Sequence, residues 1–177
     1  MKQKRIVTIQ DISCFGKCSL TVALPIISAM GIECAVIPTA VLSTHTGGFS
    51  NFTFCDLTEE IPKVQNHWQS LDLKFDCIYT GYLGSAKQLG YVSDFFSAFK
   101  NKNNQIVVDP VMADNGKLYG NFDMEFVKGM AKLCAKADVI VPNLTEAAFM
   151  LNEDFMPPAT YNETYIKETL KKLCGLG

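Results

Sequence analysis

The 177 residues fit one domain, and 48% apolar against 19% charged side chains make the chain globular rather than disordered. A net charge of −2, with basic residues scattered and no Lys/Arg stripe interleaved with aromatics, argues against a nucleic-acid partner. No apolar run is long enough to span a bilayer, and seven cysteines without a Cys-x-x-Cys pair read as reduced thiols of a cytoplasmic protein.

Residues 5–10 are β-branched and predict a first strand, with a loop over 11–15. Leu20, Leu24 and Ile27 recur at helical spacing, so 16–30 is expected as a helix, kinked at Pro25 and stopped by Gly31. A second strand is expected over 34–39, then a Ser/Thr/Gly-rich flap over 43–51. A helix over 58–68 precedes a strand over 75–80, and Ser85 caps a helix reaching about residue 100. The pattern continues with a strand at 105–109, a helix at 123–136, a strand at 138–141, and helices at 144–151 and 161–174. Short apolar strands alternating with longer helices imply βαβ units, right-handed crossovers and a doubly wound, mostly parallel α/β sheet with helices on both faces.

In such sheets ligands sit at the carboxyl ends of the strands. Those ends carry Asp11, then Ser43-Thr44-His45-Thr46-Gly47-Gly48, then Gly81-Tyr82-Leu83-Gly84-Ser85, then Asp109-Pro110-Val111-Met112, then Pro142-Asn143-Leu144-Thr145-Glu146. Taken singly, Asp109 and Glu146 read as helix caps. As carboxylates on two successive strand ends they suit Mg²⁺, a hard cation that takes one or two carboxylates plus waters and phosphate oxygens. A Walker-type GxxxxGK[ST] is absent, as is a GxGxxG after the first strand, which sets aside P-loop and dinucleotide-binding folds. Cys14 and Cys18 lack the second ligand pair that a zinc site needs.

Together these segments, in this order, resemble the pyridoxal kinase family of the ribokinase-like superfamily, from Arg5 to about Leu151. Ser-x-His-Thr followed by Gly-Tyr-Leu-Gly-Ser distinguishes it from the related hydroxymethylpyrimidine kinases, which share Asp-Pro-Val-Met and Pro-Asn-x-x-Glu. The resemblance implies an ATP-dependent kinase acting on the hydroxymethyl group of pyridoxal, pyridoxine or pyridoxamine, with Mg²⁺ as cofactor and a homodimer as one expected form. It implies that Asp11, His45, Thr46 and Tyr82 line the substrate pocket, and that Asp109 and Glu146 hold the metal. It places Asp114, Tyr119, Asn143 and Glu146 near the nucleotide. Asp11 stands where the family usually has Ser, and as an acceptor it suits a protonated ring nitrogen.

The family's catalytic base is an Asp in a Gly-x-Gly-Asp motif that opens a helix whose amides form an anion hole. The 177 residues contain no such motif, so the base is expected beyond Gly177 and the domain over 1–177 is expected to lack its carboxyl-terminal part. Hydroxymethylpyrimidine kinase, or a catalytically inactive B6-binding fragment, are the alternatives.

Overall fold

The computed structural model describes residues 3–177. The sheet comprises β1 (Arg5–Ser13), β2 (Glu33–Leu42), β3 (Phe54–Asp56), β4 (Cys77–Thr80), β5 (Gln105–Val108) and β8 (Val139–Ile140). Its spatial order is β3-β2-β1-β4-β5-β8, parallel throughout except for the β2–β3 edge pair. A small antiparallel hairpin, β6 (Ala113–Asp114) with β7 (Lys117–Leu118), stands apart. The helices are α1 (Leu20–Ala29), α2 (Ile61–Ser70), α3 (Ala86–Phe99), α4 (Met124–Cys134), α5 (Leu144–Leu151) and α6 (Glu163–Leu173). No helix among the described residues is long and apolar enough to cross a membrane.

Strand side chains alternate between faces, and here the alternation divides two unlike layers. Val7, Ile9, Ile37, Ile78, Ile106 and Val108 join one buried cluster with side chains of α2, α3, α4 and α5. Its centre is aromatic. The rings of Phe95 and Phe99 stack at 4.4 Å, and Phe75 meets Trp68 at 5.5 Å and Phe99 at 5.4 Å. Each buried ring is worth about 1.5–3 kcal/mol of transfer free energy. Cys77, Tyr79 and Val107 point the other way, into a cleft of about 670 Å³ beside Val22 and Ile26 of α1. The α1 layer is thin: Val22, Ile26 and Met30 remain exposed.

The expected strands and helices all form, with informative differences at the ends. β1 runs on to Ser13, because its partner β2 runs on to Leu42 and supplies pairing for Ile12 and Ser13. The register slips between Gln10 and Ile12, a bulge that re-aims the side chains at the strand end. α1 starts at Leu20 rather than 16, since Gly16, Lys17 and Ser19 all take positive φ and form a tight loop. Pro25 lies inside α1, which continues on both sides of it as one element. β3 and the β6–β7 hairpin are too short for a periodicity of two to register.

One buried amide knits the open edge together. Gln88 Nε2 donates to Thr39 O at 3.0 Å, to Thr58 Oγ1 at 2.8 Å and to Asp56 Oδ1 at 3.4 Å, while its Oε1 accepts Gly84 N–H at 2.7 Å. Ser85 caps α3 as expected, its Oγ accepting Gln88 N–H at 3.2 Å.

Candidate active site

The extended β1 delivers Asp11 and Ser13 to the carboxyl edge on one side of the strand, both buried, with Ser13 Oγ donating to Asp11 Oδ2 at 3.1 Å. His45 hangs from the flap. Its Nδ1 accepts Gly47 N–H at 3.1 Å, so in the neutral ring the proton sits on Nε2. Its backbone N–H donates to Phe15 O at 3.2 Å, tying the flap to the loop before α1. That approach requires glycine at 16: φ is +98°, and a Cβ there would lie 2.1 Å from His45 Cδ2. Phe49 closes the contact, meeting His45 at 4.9 Å and Phe15 at 6.0 Å, both edge-on.

Tyr82 follows β4. Its carbonyl accepts Thr39 Oγ1–H at 3.1 Å, and its phenol accepts Asn121 Nδ2–H at 2.9 Å. Burial pushes the phenol's pKa up, and the Asn121 hydrogen bond works in the opposite direction.

Asp109 follows β5, and burial raises its carboxyl to about 6. Glu146, in the first turn of α5, is 2% exposed and raised to about 7, chiefly by burial, with the Asp109 charge adding to it. Both Glu146 oxygens are engaged. Oε1 accepts Met112 N–H at 3.2 Å, and Oε2 accepts Asn143 N–H at 2.8 Å, the second half of a capping box. The helix-cap reading of Glu146 is met, and the same carboxyl lies within the electrostatic reach of Asp109. Asn143 is fully occupied in the cap: Oδ1 accepts from the amides of Thr145 and Glu146, and Nδ2 donates to Ala113 O at 2.8 Å.

On the β6–β7 hairpin, Asp114 accepts from the backbone and side chain of Asn115. Gly116 N–H donates to the buried Thr145 Oγ1 at 3.1 Å, docking the hairpin on α5. The exposed Tyr119 has its phenol raised by partial desolvation and by the negative charges of Glu146, Asp114 and Asp109.

One cavity of about 310 Å³ collects Asp11, His45, Thr46, Tyr82, Asp114 and Tyr119 in its walls. Asp109 lines the neighbouring cleft beside α1, and Tyr82 belongs to both. Asn143 and Glu146 line neither and act from behind, through Ala113 and Met112. The sequence reading missed Thr145 and Asn121. A buried Thr in the first turn of a helix and an Asn in a turn carry no signal that separates them from ordinary structural residues.

Among the described residues no group of three or more His, Cys, Asp or Glu side chains forms a metal cage. The donor chemistry of Asp109 and Glu146, carboxylate oxygens, is of the kind that a hard divalent ion completed by water and phosphate oxygens would take. A half-buried and a fully buried carboxylate with raised pKa values are what such an ion would relieve.

The phosphomethylpyrimidine kinase family model matches residues 20–177. The chain belongs to that family. It is 48% identical to a Bacteroides thetaiotaomicron protein described as a candidate phosphomethylpyrimidine kinase. The superposition has a TM-score of 0.95 and covers all of this chain and 60% of that one. A second crystal form of that protein contains pyridoxal. Pyridoxal kinase from Lactobacillus plantarum is 35% identical, with a TM-score of 0.86 over 96% of this chain and 60% of its own. Pyridoxal kinase of Dictyostelium discoideum is 28% identical over 84% of this chain. The pyridoxal kinase resemblance and the ribokinase-like α/β fold are thus upheld, and the chain spans about half the length of the curated relatives it matches.

Proposed function

We propose that this chain carries the substrate-facing and metal-facing part of an ATP-dependent kinase that phosphorylates the hydroxymethyl group of pyridoxal, pyridoxine or pyridoxamine. The observation that carries the reading is the single cavity of about 310 Å³ walled by Asp11, His45, Thr46, Tyr82, Asp114 and Tyr119. Asp11, with Ser13 already on one oxygen, is an acceptor for a proton on the ring nitrogen. His45 Nε2–H and Thr46 Oγ1 offer polar contacts to ring substituents, and Tyr82 flanks the ring. Asp109 and Glu146 are the residues that would hold Mg²⁺, which with ATP supplies charge neutralisation for phosphoryl transfer. Asp114 and Tyr119 face the nucleotide side, with Asn143 holding the hairpin in place through Ala113. The pyridoxal found in the Bacteroides relative supports the vitamer assignment.

The transfer step needs a base to take the hydroxymethyl proton, and no Gly-x-Gly-Asp stands within these 177 residues. The 177-residue chain is therefore expected to bind vitamers without efficient turnover. Calorimetry with pyridoxal, paired with a Mg²⁺-ATP assay for pyridoxal phosphate, tests both halves. Turnover on the order of 1 s⁻¹ or faster would refute the need for a further base, and absence of pyridoxal binding would refute the vitamer reading.

The family description favours a second reading, a hydroxymethylpyrimidine substrate. Competition between that pyrimidine and pyridoxal for the cavity separates the two. All seven cysteines are free thiols, which supports a reducing, cytoplasmic setting. Pairing of two copies is checked by sedimentation of the purified chain.

A further inference from the structure

Tyr82, with Cys18, Ser19 and Val111, lines both the cavity of about 310 Å³ at the strand ends and the cleft of about 670 Å³ beside α1, and its ring is the largest of these shared side chains. Its main chain is pinned by Thr39, which leaves the ring's own torsions to decide how far the two spaces communicate. The ring is held from one direction. Asn121 Nδ2 donates to the phenol oxygen at 2.9 Å, and Phe122 packs on the ring at a centroid distance of 5.8 Å.

The hold has a firm footing. Phe122 stacks at 4.0 Å on Phe126, which is buried in α4. Phe122 N–H donates to Tyr119 O at 3.0 Å, and Tyr119 N–H donates to Met112 O at 2.9 Å. Asp123 caps α4 through Phe126 N–H at 2.9 Å. Asn121 therefore sits between the nucleotide-side hairpin and a capped helix. An exposed Asn in a turn ordinarily bonds its own backbone locally. This one reaches a residue 39 positions away.

We propose that Asn121 is a positioning residue that holds the Tyr82 ring as the partition between the substrate cavity and the α1 cleft, and so sets the width of the slot that receives the substrate ring. The proposal rests on the cavity's assignment to a vitamer ring. Asn121 does not touch the ligand. It acts through Tyr82, and it links that wall to the chain segment carrying Asp114 and Tyr119.

The test combines Asn121→Ala, Asn121→Gln and Tyr82→Phe, alone and together. Pyridoxal affinity is measured by calorimetry, and Tyr82 ionisation by tyrosinate absorbance in the ligand-free chain, with Tyr82→Phe as the subtraction. The carboxylates of Asp11 and Asp56 also bear on this phenol and are left intact in every variant. Loss of one neutral hydrogen bond predicts an affinity about 3- to 10-fold weaker in Asn121→Ala. It also predicts an upward shift in Tyr82 ionisation, partial recovery of both in Asn121→Gln, and no further loss when Asn121→Ala is added to Tyr82→Phe. Unchanged Tyr82 ionisation in Asn121→Ala overturns the proposal, as does an equal affinity loss in both backgrounds. If the unaltered chain binds no pyridoxal, the vitamer reading falls, and the ionisation measurement alone decides whether Asn121 holds Tyr82.

Discussion

On one face of the sheet, α2 to α5 bury Ile78, Ile106 and Val108 beneath a run of packed aromatic rings. On the other, α1 lies alone and leaves Val22, Ile26 and Met30 exposed beside an open cleft. The groups with chemistry to do belong to neither interior. They sit at the strand ends, anchored from the dense face by Gln88, Thr145 and the α5 cap, and they open toward the thin one. The dense layer thus carries most of the buried apolar packing, and the sparse layer borders the cavity proposed for the ligand. Substitutions in the two should separate these properties.

The sharpest contrast is Phe95→Ala, which removes a fully buried ring touching Trp68, Phe75 and Phe99. A loss of about 3–5 kcal/mol is expected in denaturant unfolding. A loss under about 1 kcal/mol would mean that the dense face is not the stabilising one. Next comes Glu146→Ala, which strips the acceptors from the amides of Met112 and Asn143. About 1–3 kcal/mol should be lost near pH 5, where the carboxyl is mostly protonated and removing it relieves no buried charge.

The carboxylate pair also predicts a pH dependence. Asp109 is raised from 3.8 to about 6 and Glu146 from 4.5 to about 7, so across that interval the folded chain holds protons the unfolded chain has released. The stability they contribute is complete below about pH 4 and is lost as pH rises through about 6 and 7, at most on the order of 3 kcal/mol for each carboxyl. Melting temperature should fall between about pH 5 and pH 8. Asp109→Asn should flatten the slope, and millimolar Mg²⁺ should recover stability at the alkaline end. A flat profile for the unaltered chain would show that the carboxyls are not desolvated. Smaller still, Ser85→Ala should cost about 1 kcal/mol through the lost α3 cap. Ile26→Ser, on the thin face, should stay within about 0.5 kcal/mol.

The parallel sheet was legible because runs such as Ile6-Val7-Thr8-Ile9 and Gln105-Ile106-Val107-Val108 are apolar on both faces and punctuated by glycine, proline and caps. Asp11, His45, Thr46, Tyr82 and Asp114 of the cavity lie in strand-end segments that converge on one rim, whereas Tyr119 was signalled by the family resemblance alone. What stayed hidden depends on tertiary pairing. The extension of β1 to Ser13 needs β2 alongside it, and the edge strand Phe54–Asp56 needs Ala40 to Leu42. The hydrogen bonds of Asn143 and Glu146 to the backbone of Ala113, Met112 and Asn143 itself also stayed hidden, a use of polar groups that composition and spacing do not encode.

The Gln88 network has a mechanical consequence for the flap. Ser43 N–H donates to Thr53 O at 3.2 Å, and Thr53 N–H returns to Ser43 Oγ at 2.9 Å, so the flap's two roots are stitched to each other. Below them, Gln88 and the Thr58–Asp56 bond at 2.6 Å rivet those roots to α3. Above those roots, His45 and Phe49 of the flap meet Phe15 of the loop before α1 as a clasp. Parting those three rings would leave every strand in register, so the cost of opening the clasp would fall on ring contacts alone.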